Sequence, residues 1–387
     1  MVLKKIFLVL LLACLSCLTS YAQEEKPSKL VASGYLKSLQ LVQFQDVKED
    51  WFLDNIIHNR LNFNYYPNDK LRFSLGVRNR LFYGETVKNF PPYPDILGRD
   101  FGLVDMSWIP IEQRSFFLHV NIDRAFVEYM SGNWEVRLGR QRINWGQTFV
   151  WNPNDVFNAY SFFDFDYEER PGSDAALVRY YTGVTSSAEI AVAFADSLAN
   201  SRIAAKYQFN KWSYDFQFMA GKIAQDWMLG LGWSGQLGTA GFKGEMTYLY
   251  PRKDEFDLQA ALVATLAIDY TFKNQLNWQV ETIFNSAGAT ENPGAFDFFG
   301  QLTTRNLTLA KFSFFSQVNY PITPLIRSGL AGIYSPNDGS YFWGPSFDVS
   351  LGDNLGFLLT GQFFGGGEDS QFGNAGSAIF TRLKWSF

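Results

Sequence analysis

The sequence predicts an all-β protein: a transmembrane antiparallel up-and-down β-barrel of about 18 strands, with 16 the neighbouring count. Three observations carry this expectation. From about Leu30 to Phe387 the chain repeats an alternating segment of roughly ten residues followed by a turn, with no sustained helical period. The connections alternate between short and long. The last segment alternates down to a terminal aromatic residue. Composition excludes the other classes. The chain of 387 residues carries 38 Phe, 19 Tyr and 11 Trp, so it is not disordered, and only 18% of it is charged against the ~25% usual in soluble domains. No apolar run of ~18 residues follows the N-terminal segment, which excludes membrane helices.

Residues 1–22 read as a secretory signal that is removed. Lys4 and Lys5 precede the apolar stretch Ile6–Leu18, and Ser20-Tyr21-Ala22 forms a small-x-small cleavage site. Residues 23–29 then make a short periplasmic segment, and 30–387 form one barrel domain. Both cysteines, Cys14 and Cys17, leave with the signal, so thiol and disulfide chemistry are excluded. Loss of the two lysines takes the net charge from −5 to −7, and no basic block points to nucleic acid.

Alternation is plain in Leu71–Arg78, Trp212–Phe218 and Leu276–Glu281. A soluble sheet with one wet face shows the same period, so the connections matter. Tight, turn-rich links stand at 67–70, 131–133, 210–211, 273–274, 321–324 and 352–354, while longer ones occupy 84–115, 147–172, 250–255, 286–304, 335–340 and 365–370. Short periplasmic turns and long external loops are the barrel arrangement. Tyr65, Tyr66, Tyr83, Tyr129, Trp134, Tyr207, Trp212, Tyr248, Tyr250, Tyr270, Tyr320, Tyr334 and Trp385 fall near segment ends, where two interfacial girdles would place them.

The same parity sorts the charges. With Leu61, Phe63 and Tyr65 towards lipid, His58 and Arg60 face the lumen, as do Arg72, Arg78 and Arg80, then Arg124 and Glu128, then Glu135 and Arg137. An arginine on the lipid face near the midplane would cost ~2–4 kcal/mol. One wall is therefore studded with arginine, and later segments offer Asp215, Glu245, Asp269 and Glu281. Two readings stay open: a ladder of mutually satisfied charges, or a solute path. Enzymatic chemistry is not expected. His58 and His119 have no paired spacing for a metal site, no serine stands in a nucleophile motif, and Gly365-Gly366-Gly367 lacks the context of a phosphate loop. No metal or cofactor is expected either.

At the C-terminus, Leu383, Trp385 and Phe387 alternate with Arg382, Lys384 and Ser386. This resembles the closing-strand signal of Gram-negative outer-membrane proteins, which implies recognition by the barrel assembly machinery. Arg137 to Ala176 carries a second resemblance. Gly139-Arg140-Gln141 and Trp145-Gly146 lead into Asn152-Pro153-Asn154-Asp155 and then Glu169-Arg170-Pro171-Gly172. The stretch resembles porin-like bacterial outer-membrane proteins, although their Asn-Pro-Asp element is one residue shorter. The resemblance implies an outer-membrane channel and, as in many porins, a homotrimer. The loop at 147–172 is crowded with aromatics and should fold inward to narrow the pore. Trp151, Asn152, Asp155, Asp164, Asp166, Glu168, Glu169 and Arg170 are its constriction candidates, with the four acids at 164–169 expected to face the arginine wall. The expectation is a passive channel for small polar solutes, anions included. A transporter or exporter of hydrophobic or polysaccharide compounds, and a plugged surface-assembly or adhesion barrel, are the alternatives.

Overall fold

The computed structural model describes residues 28–46, 48, 51–164, 168–195, 197, 200–252, 258–298 and 300–387. The expected signal segment and Asp166 lie outside the described residues. The strands are β1 (Leu30–Phe44), β2 (Phe52–Asn68), β3 (Leu71–Gly84), β4 (Ser107–Gln113), β5 (Phe116–Ser131), β6 (Trp134–Gln141), β7 (Ser173–Tyr181), β8 (Ser187–Ala193), β9 (Arg202–Lys211), β10 (Tyr214–Ile223), β11 (Asp226–Leu237), β12 (Ala240–Pro251), β13 (Ala261–Thr271), β14 (Asn277–Asn285), β15 (Phe312–Thr323), β16 (Ile326–Ser335), β17 (Ser340–Gly352), β18 (Leu355–Gly365) and β19 (Ser377–Ser386).

They form one antiparallel sheet in which each strand pairs with its successor, except that β3 passes over β4 to pair with β5, and β19 returns to β1 to close the wall. Eighteen strands make the wall. The extra element, β4, lies within the segment 84–115 that the sequence reads as a loop. It pairs with the upper part of β5 while β6 pairs with the lower part, so the two short strands share one position in the wall. Closure is completed at the terminus, where Gly34 and Phe387 exchange both backbone hydrogen bonds at 2.8 and 2.9 Å.

The expected ends are observed. Turns at 69–70, 132–133, 212–213, 324–325 and 353–354 lie on the side of both termini, and the longer connections lie opposite, apart from the tight Ala224–Gln225 link. One hairpin begins two residues later than the alternation suggests. Trp212 and Ser213 have φ of 55° and 62°, so they form a two-residue turn whose twist suits the strands rather than opening β10.

The outer face is apolar: Leu75, Val136, Leu138, Ile190, Ile203, Leu229, Leu266, Leu330 and Leu383 are exposed there. Tyr129, Trp134, Tyr207, Trp212, Trp278, Tyr320 and Trp385 are exposed near the short-turn end. Tyr83, Trp227, Tyr248, Tyr250, Tyr334 and Trp343 are exposed near the other. Apolar rings at the band's edges keep their polar tips within reach of water. A charge placed in the middle of this band finds no partner. Leu138→Arg should lower the stability of the protein refolded in lipid vesicles by about 2–4 kcal/mol, measured by denaturant titration.

Candidate functional site: the lumen and its folded loop

The inner wall carries the charges that parity sends inward. From β3 to β9 seven of them alternate in sign. Arg72 pairs with Glu128 (3.0 Å), Glu128 with Arg137 (2.5 Å), Arg137 with Glu135 (2.6 Å), Glu135 with Arg179 (2.9 Å), Arg179 with Glu189 (3.1 Å) and Glu189 with Lys206 (3.0 Å). The ladder reading therefore holds, and the row ends one positive charge in excess. The carboxylates are buried, whereas Arg72, Arg137 and Arg179 keep 29%, 25% and 23% of their side chains exposed. Cations thus line the accessible side of a row whose anions lie behind them. Arg179, Glu189 and Lys206 continue the parity of Glu135 and Arg137 across the next three strands, so the same alternation identifies them.

Other candidates sit elsewhere. Arg60 is buried against Asp123 at 2.5 Å and reaches Glu169 at 3.5 Å. Asp123 faces inward because β5 carries a bulge there: Gly76 pairs with Arg124 and Val77 with Ile122, which leaves Asp123 as the extra residue. Gly76 makes the crowding possible, since a Cβ on it would stand 2.8 Å from the Arg60 guanidinium. Arg124 is not a rung of the ladder, as the sequence suggested. The bulge places it above the row, where it donates to the carbonyls of Glu169 (2.5 Å) and Arg170 (2.9 Å). Arg78 is buried. Arg140, which parity sends outward, is buried between Asp100 and Asp174, at 2.5 and 2.7 Å. It fastens the segment before β4 to the wall.

The two histidines differ. His58 Nε2 lies 3.4 Å from the Tyr35 hydroxyl. His119 stands between Ser107 Oγ (2.7 Å to Nε2) and an Arg80 nitrogen (2.7 Å to Nδ1). A guanidinium only donates, so Nδ1 accepts and Nε2 carries the proton. Ser107 then receives a hydrogen bond from the imidazole and has no base to take its own proton, so this pair lacks the form of an activated nucleophile. Among the described residues no group of three His, Cys, Asp or Glu is placed to hold a metal ion.

The described residues of the segment 142–172 fold into the barrel. Its first part rests on β7 to β13. Ile143, Trp145, Val156 and Phe157 pack against Ala175, Leu177, Ala191, Ala193, Ala204, Met219, Met228, Leu249 and Ala261, where small side chains leave a seat for large ones. Gly232 completes the seat, because a Cβ there would meet Asn154 Nδ2 at 3.0 Å. Two lumenal carboxylates then hold the backbone. Glu245 accepts the N–H groups of Gln147, Thr148 (2.9 Å) and Asn154 (2.9 Å). Glu281 accepts those of Phe149 (2.7 Å), Val150 (3.0 Å) and Trp151 (2.8 Å). The sequence set both acids opposite the arginine wall; the loop backbone takes them instead.

Further along, Phe162 and Phe163 reach the β15–β18 side. Phe163 packs edge-to-face against Phe296, Phe342, Phe364 and Phe372 and at a tilt against Phe298, with centroids 5.1–5.8 Å apart, and its carbonyl accepts from Gln362 at 2.8 Å. The loop therefore crosses the barrel. Arg170 stays within it, over the Tyr160 ring and bonded to the carbonyls of Ser161 and Asp164. Glu168 meets Arg382 and Lys384 of β19, and Glu169 meets Tyr35 and Arg60. These two acids face cations, but on the β19–β2 side rather than the ladder. Asp164 is exposed. Trp151, Asn152 and Asp155 are buried and belong to the loop's anchored base, not to an open rim. The Asn-Pro-Asn-Asp element is a turn closed by Asp155 N–H to the Asn152 carbonyl (3.0 Å), with the Pro153 carbonyl held by Thr247 and Thr304.

Comparison with known proteins places the fold. No protein-family model matches the chain, and no curated protein matches it by sequence. Solved structures do. Acinetobacter baumannii OccAB4 is 9% identical, with 94% of this chain and 100% of that one covered and a TM-score of 0.60. Pseudomonas aeruginosa OccK11 (OpdR) is 11% identical, with 95% and 99% covered and a TM-score of 0.57. Pseudomonas aeruginosa OccK8 (OprE) is 11% identical, with 92% and 97% covered and a TM-score of 0.53. At these identities the likeness is one of fold: the closed barrel of this chain is similar to the folds of these three proteins.

Two predictions follow from the anchored loop. Glu281→Ala leaves three buried N–H groups without an acceptor, at about 1–3 kcal/mol each, so it should cost at least about 3 kcal/mol, read as a lowered unfolding midpoint. Burial raises the Asp155 carboxyl to about 7, against the opposing pull of Arg142. The native state then holds a proton that the unfolded chain releases near its ordinary value, so this contribution is full below about pH 4 and lost by about pH 7. Asp155→Asn should flatten thermal stability measured across that interval.

Proposed function

We propose that the chain is an outer-membrane channel for passive diffusion of small polar solutes, with a preference for anions and without catalysis. The observation that supports this best is the ion-pair row of β3–β9. Its arginines turn toward the lumen while its carboxylates are screened behind them, inside a barrel whose outer face is apolar. A solute passing the row meets guanidinium donors that are held in place yet partly free to bind. An 18-stranded wall has room for an aqueous lumen, and the folded loop narrows it. The loop's buried base at Trp151, Asn152 and Asp155 fixes its position, and the rim residues Asp164, Glu168 and Glu169 border the passage. The alternating strand ending in Leu383, Trp385 and Phe387 is the element that the barrel assembly machinery would read, and residues 1–22 are the export signal.

Planar bilayers test the reading. Purified protein should form steady channels whose reversal potential in a potassium chloride gradient favours chloride. Arg72→Gln with Arg137→Gln and Arg179→Gln should shift that potential towards the cation side. Absence of any conductance would favour the plugged barrel.

A further inference from the structure

The folded loop is held in two physically different ways. Its base, 147–154, gives six backbone N–H groups to two buried carboxylates, Glu245 and Glu281, and water has no access to compete. Its returning leg is held by side-chain ion pairs that water reaches. Glu168 Oε1 lies 3.3 Å from Arg382 and Oε2 lies 2.6 Å from Lys384, with side-chain exposures of 36%, 15% and 23%. Beside it, Glu169 accepts from the Tyr35 hydroxyl at 3.0 Å and lies 3.5 Å from Arg60, and Lys384 Nζ stands 4.8 Å over the Tyr35 ring. Solvated pairs of this kind are weak and screened by salt, so other anions exchange with them readily.

Arg382 and Lys384 are two residues apart on β19 and so share the lumenal face. Together they grip one carboxylate through both of its oxygens, which is the geometry a free oxyanion would use. We infer that this pair is an anion-binding subsite of the lumen, for a carboxylate or phosphate group, and that Glu168 is its tethered occupant, displaced when such a solute enters. The inference rests on the channel reading for its purpose, but the subsite itself is a matter of binding. It makes the anchored base a fixed support and the leg a competitor.

Calorimetric titration of the full-length barrel in detergent tests it, with succinate and inorganic phosphate as probes. An internal competitor lowers apparent affinity by the fraction of time it vacates the site. Glu168→Gln should therefore tighten binding of at least one probe by about five-fold, and the probe that responds identifies the oxyanion. Arg382→Gln combined with Lys384→Gln should abolish the binding. If Glu168→Gln leaves both affinities unchanged, or the double variant binds as the parent does, the inference is overturned whether or not the protein conducts. A five-fold shift in a barrel that carries no current would instead refute the channel and keep the subsite.

Discussion

Two buried carboxylates hold the interior of this barrel in order. Glu245 and Glu281 are single side chains on β12 and β14, yet between them they satisfy six consecutive or near-consecutive backbone donors of a segment without secondary structure of its own. An irregular chain buried inside a protein would otherwise carry unpaired N–H groups, each a free-energy cost comparable to a lost hydrogen bond. A carboxylate is suited to the task because it offers several acceptor sites and no donor. Once the segment 147–154 is fixed, the rest of the loop has a defined course, from the alanine-lined seat on β7–β13 to the phenylalanine cluster beyond.

The lumen is consequently asymmetric. Apolar packing and pinned backbone occupy the side from β10 to β18, ionic groups dominate from β19 through β1 to β6, and on β7 to β9 the loop's seat and the last rungs of the ion-pair row overlap. Loop and ladder are also joined directly: Trp145 donates its indole N–H to Glu189 at 3.1 Å, and Lys206 stands 5.5 Å over its ring. The first residues of the loop and the last rungs of the ladder therefore share partners, so a change at one is felt at the other. The Trp145 ring thereby helps to bury Glu189, the last carboxylate of the row.

Much of the architecture was legible along the chain. Period-two alternation fixes which face each residue of a strand occupies, and it puts Arg60, Arg72, Glu128, Glu135 and Arg137 on the face where the ion pairs form. Turn chemistry separated the two ends of the barrel, and the alternating C-terminal strand announced its closure. Each of these signals is local, decided by residues within one segment or one hairpin. The alternation failed where a bulge or a turn broke it: Asp123 is the extra residue of the β5 bulge, and Trp212 with Ser213 turn the chain before β10 begins. Neither leaves a mark in the alternation itself.

The sequence alone determined a closed, charge-lined barrel with an aromatic, inward-folding loop. Tertiary structure decided which charges meet. Glu245 and Glu281 look, in one dimension, like counterparts of the arginine wall, but they lie some hundred residues from the backbone they bind. Arg382 and Lys384 are more than two hundred residues from Glu168. Pairings over such separations depend on where closure brings the strands and on which groups burial leaves most in need of a partner. No local pattern encodes either.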